Sequence, residues 1–362
     1  DFFDYAVVIF GNDTNSNYKI LNVLTRKNID HNNFKNDDTI GLFNQRYTKE
    51  TAQKSNVRFM FYNPHIALKH YQHLLDKTVC LNSIKLIEEL ESKIKTREHY
   101  KAIVPTLPHQ ILDGNVCKLD NLKQLFKTNN NRFVLQKDNG SGGSGTILYS
   151  GQEIDKNGQY LVTQYCENSI PINTHLLITK NEVIVMPSSI QIIESQGNHL
   201  KYKGCDFIGY KNIDHELQTK ELNYAKTIGE DLQKRGYLGI VGIDSIIVDE
   251  EVYFIEINPR FQNSSTILNK CLVEHNLPSL QEINYYCFTG KKFDFDYCDV
   301  DYSSYVEGYG EYNRAFQIKP IMTLDYNSNI DEIEQGSYKR TLIFDKSIYE
   351  LIHKDKTETY KI

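Results

Sequence analysis

Apolar residues recur along this chain in patterns that predict a mixed α/β protein. Tyr5 to Phe10 is an apolar run of strand length, closed by the turn residues Gly11-Asn12-Asp13. From there to about residue 80 the chain is polar and gives no ordered pattern. The pattern sharpens at Leu81. Ile84, Ile87, Leu90 and Ile94 recur at helical spacing behind a cap at Asn82 or Ser83, and the helix runs on through Lys93-Ile94-Lys95-Thr96-Arg97. Pro105 and Pro108 lie beyond its end. Arg132 to Lys137 reads as a strand, a glycine-rich loop follows, and Thr146 to Tyr149 reads as the return strand. Further strands are expected at Tyr160 to Cys166, His175 to Thr179 and Val183 to Met186. A helix over about 215–234 carries Leu222, Ala225, Gly229 and Leu232 on one stripe and stops at Gly236. Strand-like stretches recur near the end, at Phe316 to Leu324 and Thr341 to Phe344. Phe293 to Tyr297 alternates aromatic and acidic residues, as a half-buried strand does.

Between Val241 and Arg260 the pattern is broken in an informative way. Two β-branched, apolar runs flank the acidic turn Asp249-Glu250-Glu251, and Asp244, Glu256 and Asn258 interrupt them. An unpaired buried charge costs several kcal/mol or neutralises itself, so oxygen-bearing side chains in such strands ask for a cation. A three-residue loop sets Val248 against Val252 and Asp244 against Glu256, with Asn258 on the same face. A two-residue loop at Asp249-Glu250 instead sets Asp244 against Ile255 and turns Glu256 away. The expectation is the register that gathers the carboxylates. Asp, Glu and Asn oxygens suit a hard ion, Mg²⁺ or Mn²⁺. The plainer alternative is the polar outer face of an ordinary hairpin.

A second departure is Lys137-Asp138-Asn139-Gly140-Ser141-Gly142-Gly143-Ser144-Gly145. Glycines let backbone N–H groups turn toward an anion, the serines add donors, and the Lys supplies a point charge for phosphate oxygens. It is no P-loop, because no Gly-Lys-Ser/Thr follows. A flexible hairpin connection is the alternative.

Composition narrows the classes. The 362 residues are 40% hydrophobic and 24% charged, ordinary values for a globular protein long enough for two or three subdomains. A net charge of −6 gives no general attraction for nucleic acid or anionic membrane. The longest purely apolar run, Ala6 to Phe10, is far short of a membrane span. Seven Cys at scattered positions read as reduced thiols, and with no visible signal peptide the expected location is the cytoplasm. His70-x-x-His73 has helical-neighbour spacing but no third ligand nearby, so surface or core roles are expected.

In its order of motifs, Lys137 with its glycine loop, then Asp244, then Glu256-Ile257-Asn258-Pro259-Arg260, the chain resembles the ATP-grasp superfamily over roughly residues 80–270. The resemblance implies an N-terminal Rossmann-like α/β domain preceding the ATP-grasp fold (1–80). It further implies an α+β subdomain with the glycine loop and adenine hinge (81–170), a second with the magnesium-binding hairpin (171–290), and a C-terminal extension (291–362). It implies ATP with Mg²⁺ or Mn²⁺ as cofactors. Lys137 then binds the α and β phosphates, and Gly140, Ser141, Gly142, Gly143 and Ser144 close over the β and γ phosphates. Lys93, with Lys95 as the alternative, is similar to the family's other ATP-binding Lys. Gln164-Tyr165-Cys166 resembles the hinge that reads the adenine edge, with Gln where Glu is usual. Gln191 is similar to a Gln directed at the phosphates. Asp244, Glu256 and Asn258 resemble the metal ligands, with Asp where many members have Glu, and Arg260 the Arg that stabilises charge developing in the reaction. His199 to Tyr210, with Gly204 and Gly209 and just after Gly197, is expected to be a lid.

The activity so implied is ligation: a carboxylate becomes an acyl phosphate and is joined to an amine. Small-molecule or peptide carboxylates and amines are the implied substrates. The tail either shapes their pocket or forms a contact between two copies in a homodimer. Arg260-Phe261-Gln262 also resembles the Arg-x-Gln with which biotin carboxylases hold bicarbonate. Those enzymes continue with Val-Glu-His, whereas Asn263-Ser264-Ser265 follow here. A nucleotide-binding module without catalysis is the remaining alternative.

Overall fold

The computed structural model describes residues 5–9, 19–24, 52–53, 58–61, 63–64, 66–140, 145–292, 306–310 and 340–344. The chain divides into two compact units, residues 1–88 and 89–362. In the first, β1 (Tyr5–Ile9) and β2 (Lys19–Leu24) pair in parallel, as an α/β beginning requires. A 3-10 turn (Ile66–His70) leads into α1 (Gln72–Leu75) and, across the unit boundary, α2 (Ile84–Glu91). Ser83 Oγ accepts the Leu86 N–H at 3.2 Å and so takes the capping role.

The expected continuous helix is broken. A new helix, α3 (Lys93–Tyr100), starts after Ser92, whose extended backbone and hydroxyl cap the Lys95 N–H. Lys93 is thereby the first residue of a helix rather than its middle. The second unit continues with β3 (His109–Asp113), α4 (Leu119–Phe126), β4 (Phe133–Lys137), β5 (Thr146–Tyr149), β6 (Gln159–Gln164), β7 (Ile170–Ile178), β8 (Val183–Val185), β9 (Ser189–Gln196) and β10 (His199–Asp206). After these come α5 (Phe207–Tyr210), α6 (His215–Lys234), β11 (Gly239–Val248), β12 (Glu251–Asn258), α7 (Ser265–Glu274), α8 (Leu280–Thr289), β13 (Val306–Gly310) and β14 (Arg340–Phe344). The expected strand at Thr341 to Phe344 is β14. Phe293 to Tyr297, Phe316 to Leu324 and the turn at Gly11-Asn12-Asp13 lie outside the described residues.

Among the described residues the strands of the second unit run in the order β12-β11-β7-β9-β10-β5-β4-β6-β3, with β8 on β7 and β13 and β14 continuing from β10. Among the described residues, the pair His199 opposite Ile147 joins the β3–β6–β4–β5 half to the other. All these pairings are antiparallel. The expected lid is not irregular: His199 to Asp206 pairs with β9 along its length, and α5 ends it. Leu200 and Tyr202 alternate with His199, Lys201 and Lys203, a period-two signal that the nearby glycines obscure.

Helix α6 covers one face of the second half. It forms where expected, capped by the Asp214 carboxylate on the Glu216 and Leu217 N–H groups. Its Gly229 is a close-approach position, since a Cβ there would stand 2.5 Å from Val183 Cγ1 and 2.9 Å from Leu176 Cδ1. Buried Glu221 accepts hydrogen bonds from Thr174 (2.5 Å), Ser188 (2.9 Å) and Tyr210 (3.0 Å), which fastens the helix to β7 and its neighbours. Burial pushes the Glu221 carboxyl up, and the three donors pull against that shift. On the other face, α7 and α8 bury Leu268, Leu272 and Ile283 against Leu177, Ile240 and Phe261. In the first half, α4 packs Leu122 on Phe133, Leu135 and Val162.

His175 lies on that α7 side, fully buried, with Nε2 2.8 Å from Ser265 Oγ. Burial pushes its imidazole down from 6.5 to about 3. The folded state therefore holds His175 neutral, while the unfolded chain takes up a proton below pH 6.5. Stability from this group is complete above that pH and falls as pH drops toward 3. At pH 5 the loss amounts to about 2 kcal/mol, at 1.4 kcal/mol per pH unit. In urea titrations, His175→Gln is expected to show a smaller drop in midpoint between pH 7.5 and pH 5 than the parent protein. Equal drops would mean His175 is not the titrating group.

Candidate functional site

The site begins in the β11–β12 hairpin, where the expected register holds at the carboxylates but not at the turn. The loop is two residues long: Val248 pairs with Glu251, and Asp249 takes a left-handed φ of 55°. That loop alone would set Ile255 against Asp244. Instead Ser245 pairs with Phe254 and Asp244 with Glu256, so Ile255 is an extra residue, a β-bulge. The bulge cancels the one-residue offset of the shorter loop. Phe254 and Glu256, two apart in sequence, consequently belong to opposite faces of the sheet.

Asp244 and Glu256 thus meet in a half-buried position. Burial first, and then the Glu256 charge, push the Asp244 carboxyl up to about 7. Burial acts upward on Glu256 too, but the Lys93 ammonium and its hydrogen bond outweigh it and hold that carboxyl below its usual range. Lys93 Nζ donates to Glu256 Oε2, from a side chain only 10% exposed. Asn173 Nδ2 donates to Asp244 Oδ1 at 2.7 Å, and Asn258 Nδ2 to Asp244 Oδ2 at 3.0 Å. Arg260 Nη2 reaches Asn258 Oδ1 at 2.9 Å, while its Nη1 donates to the Phe261 carbonyl at 3.0 Å. Two acids, two cations and two amides therefore form one connected group on β7, β11, β12, α3 and the segment after β12. The donor chemistry fits a hard divalent cation, because Asp244, Glu256 and Asn258 offer oxygens only.

Asn173 is the member that sequence reasoning missed. It pairs with Asp244 on β11 and with Ser189 on β9, and its amide also donates to Gln262 Oε1. Ser264 Oγ in turn donates to Asn173 Oδ1 at 2.7 Å. Gln262 lies over Gly242, where a Cβ would stand 1.9 Å from its Nε2, so only glycine leaves room for it. A polar residue inside the apolar run of β7 was the available signal.

Lys137 ends β4 opposite Tyr160 with a side chain 47% exposed, and Asp155 Oδ2 lies 3.7 Å from its ammonium. Its backbone N–H donates to the Gly145 carbonyl at 2.8 Å, which closes the base of the glycine loop. Gly140 is exposed; Ser141, Gly142, Gly143 and Ser144 lie outside the described residues. Asp138, another residue not singled out, ties this loop to α3. Its Oδ1 accepts from Ser92 Oγ at 2.6 Å and from the Ile94 N–H at 3.0 Å, and its carbonyl accepts the Lys93 N–H at 3.0 Å. Lys93 is therefore adjacent to both the loop and the carboxylates. Lys95 is exposed and lines a separate hollow of about 250 Å³ with Glu89, His99 and Arg235.

At the end of β6, Gln164 pairs with Phe133 and is followed by Tyr165 and Cys166, all partly exposed. The Tyr165 N–H donates to the Arg132 carbonyl at 3.1 Å, its own carbonyl accepts from Asn130, and the Arg132 guanidinium stacks 4.3 Å above its ring. Burial raises the Cys166 thiol. Gln191 sits on β9 opposite Cys205, with Nε2 donating to the Ile172 carbonyl at 3.2 Å. It is one strand beyond Asn173 and shares a face with Ser189.

A sequence profile of the ATP-grasp domain matches residues 90–264, the span that holds every candidate site residue from Lys93 to Arg260. The chain is 25% identical over 272 residues to the [butirosin acyl-carrier protein]–L-glutamate ligase of Niallia circulans, an alignment covering 69% of this chain and 60% of that enzyme. It thus spans less than two thirds of the length of that relative. In fold it is similar to N5-carboxyaminoimidazole synthetase from Staphylococcus aureus complexed with ADP, with a TM-score of 0.57 and 14% identity over 87% of this chain and 84% of that one. It is also similar to the biotin carboxylase domain of Hydrogenobacter thermophilus 2-oxoglutarate carboxylase, with a TM-score of 0.50 and 17% identity over 67% of this chain and 56% of that one. At these identities the two structures speak to fold alone. No described helix is long and apolar enough to cross a membrane. Through residues 90–264 the chain belongs to the ATP-grasp superfamily.

Proposed function

We propose that this protein is an ATP-dependent ligase that activates a carboxylate as an acyl phosphate and joins it to an amine, releasing ADP and phosphate. The observation that carries this reading is the meeting of Lys93, at the root of the glycine loop, with Asp244, Glu256, Asn258 and Arg260 on one face of a sheet within an ATP-grasp domain. Asp244, Glu256 and Asn258 would hold Mg²⁺, or Mn²⁺. When bound, the metal supplies positive charge that neutralises phosphate oxygens and polarises the γ-phosphoryl group. The Lys93 ammonium lies against Glu256, and nucleotide binding would draw it toward a phosphate.

Lys137 and Lys93 would hold the nucleotide phosphates, and the backbone from Gly140 through Ser144 would close over them. Tyr165 already has both backbone groups bonded, which leaves Gln164 and Cys166 to meet the adenine edge. Gln191, on the same face as Ser189, would approach the phosphates once released from the Ile172 carbonyl. The substrate carboxylate would attack the γ-phosphorus with ADP leaving. Arg260 would then stabilise the oxyanion that develops as the amine adds to the acyl carbon. The Niallia circulans relative is named for L-glutamate and an acyl-carrier protein, which makes amino acids and other small acids the first candidates here. A peptide acid remains within the same chemistry.

Three results test this reading. With Mg-ATP, hydroxylamine and pooled carboxylic acids, the protein is expected to yield a hydroxamate together with ADP, measured by mass spectrometry. ADP release that depends on bicarbonate, without hydroxamate, would identify carboxylase chemistry instead. Glu256→Gln is expected to lower turnover by at least a hundredfold while the melting temperature stays within a few degrees; unimpaired turnover would remove the metal-site assignment. Asp138→Ala removes the cap that ties the loop to α3, so it should cost about 1 kcal/mol of stability and raise the KM for ATP more than it lowers kcat. A KM equal to the parent's would separate Asp138 from nucleotide binding.

A further inference from the structure

The bulge at Ile255 has a partner on α3 that no step of the proposed reaction uses. A bulged residue leaves the ladder, so its backbone groups need partners from elsewhere. Arg97 Nη2 supplies one, donating to the Ile255 carbonyl at 2.9 Å across 158 positions of sequence. The Arg97 side chain is completely buried, and its Nε and Nη1 have no hydrogen-bond partner among the described residues. An apolar side chain of similar length would fill that space without desolvating a guanidinium. The neighbouring contacts follow the same line. Tyr100 packs its ring 5.2 Å from that of Phe254, Arg97 holds Ile255, and Lys93 holds Glu256. Positions 93, 97 and 100 share one face of a helix and here meet three successive residues of β12. Phe254 is further held by its N–H donating to the Pro105 carbonyl at 2.9 Å.

We propose that Arg97 is a positioning residue for the cation site: by holding the Ile255 carbonyl it keeps the bulge in β12, and the bulge keeps Glu256 facing Asp244. Without the bulge a hairpin of this length pairs Ile255 with Asp244 and turns Glu256 to the opposite face. The inference rests on reading Asp244, Glu256 and Asn258 as metal ligands.

The test compares the parent protein with Arg97→Met, with a deletion of Ile255, and with both changes together. Deleting Ile255 joins Phe254 to Glu256 directly, so Glu256 stays opposite Asp244 in a regular ladder that needs no guanidinium. Mn²⁺ binding is followed by electron paramagnetic resonance, and amide hydrogen exchange over residues 252–258 is followed in the metal-free protein. Arg97→Met should weaken Mn²⁺ binding roughly tenfold or more and speed exchange over that segment. The double variant should regain both the affinity and the protection of the deletion variant. A parent protein that binds no Mn²⁺ would sink the cation-site reading, and the inference with it. Parent-like affinity and exchange in Arg97→Met would overturn the inference alone, as would a double variant no better than Arg97→Met. Should Arg97→Met fail to fold, Arg97→Lys is read by the same criteria, since a single ammonium cannot reproduce the guanidinium geometry.

Discussion

Asp244 and Glu256 face one another across an antiparallel pair in a half-buried position. Like charges so placed persist only where cations or a retained proton offset their repulsion. Each surrounding element contributes to that offset. Lys93 comes from the start of α3, Arg260 from the segment after β12, and Asn173 from the adjoining strand. The burial that makes the pair costly also concentrates its attraction for a divalent ion, because a low dielectric strengthens every interaction inside it. The proposed metal chemistry and the local packing are thus two consequences of one arrangement.

Helix α3 couples that arrangement to the glycine loop. Ser92 breaks what would otherwise be a longer helix, and Asp138 caps the new N-terminus from the root of the loop. The Lys93 ammonium, the root of the glycine loop and the Asp244–Glu256 carboxylates are therefore brought together by one short helix. This explains why the ionic contact joins residues 163 positions apart in sequence without a long side-chain relay between them.

Much of this was legible beforehand. The helix at His215–Lys234 formed where its apolar stripe and its glycine stop indicated, and β4, β5 and the hairpin strands lie where period and turn residues put them. The break at Ser92 was missed because the apolar spacing of Ile84, Ile87, Leu90 and Ile94 runs straight through it, and Lys95 stands where a capping box would place Glu or Gln. Strand β10 was missed because glycines dilute its alternation. The hairpin turn was misjudged: a three-residue loop was expected, and a two-residue loop with a bulge gives the same opposition of Asp244 and Glu256.

The sequence by itself determined that acids would gather on this hairpin, since carboxylates recurring inside β-branched runs have few stable places to go. It also marked the loop after Lys137 as a candidate phosphate binder, through glycine's freedom and the serines' donors. Only the tertiary structure decided which Lys meets the acids, because Lys93 and Lys95 differ in nothing but helical face. The tertiary structure alone also decided that Ile255 would be extruded and that Asn173, Asp138 and Arg97 would support the site. Those outcomes depend on hydrogen bonds between segments 44 to 163 positions apart, and no local propensity or periodicity carries information about so distant a partner.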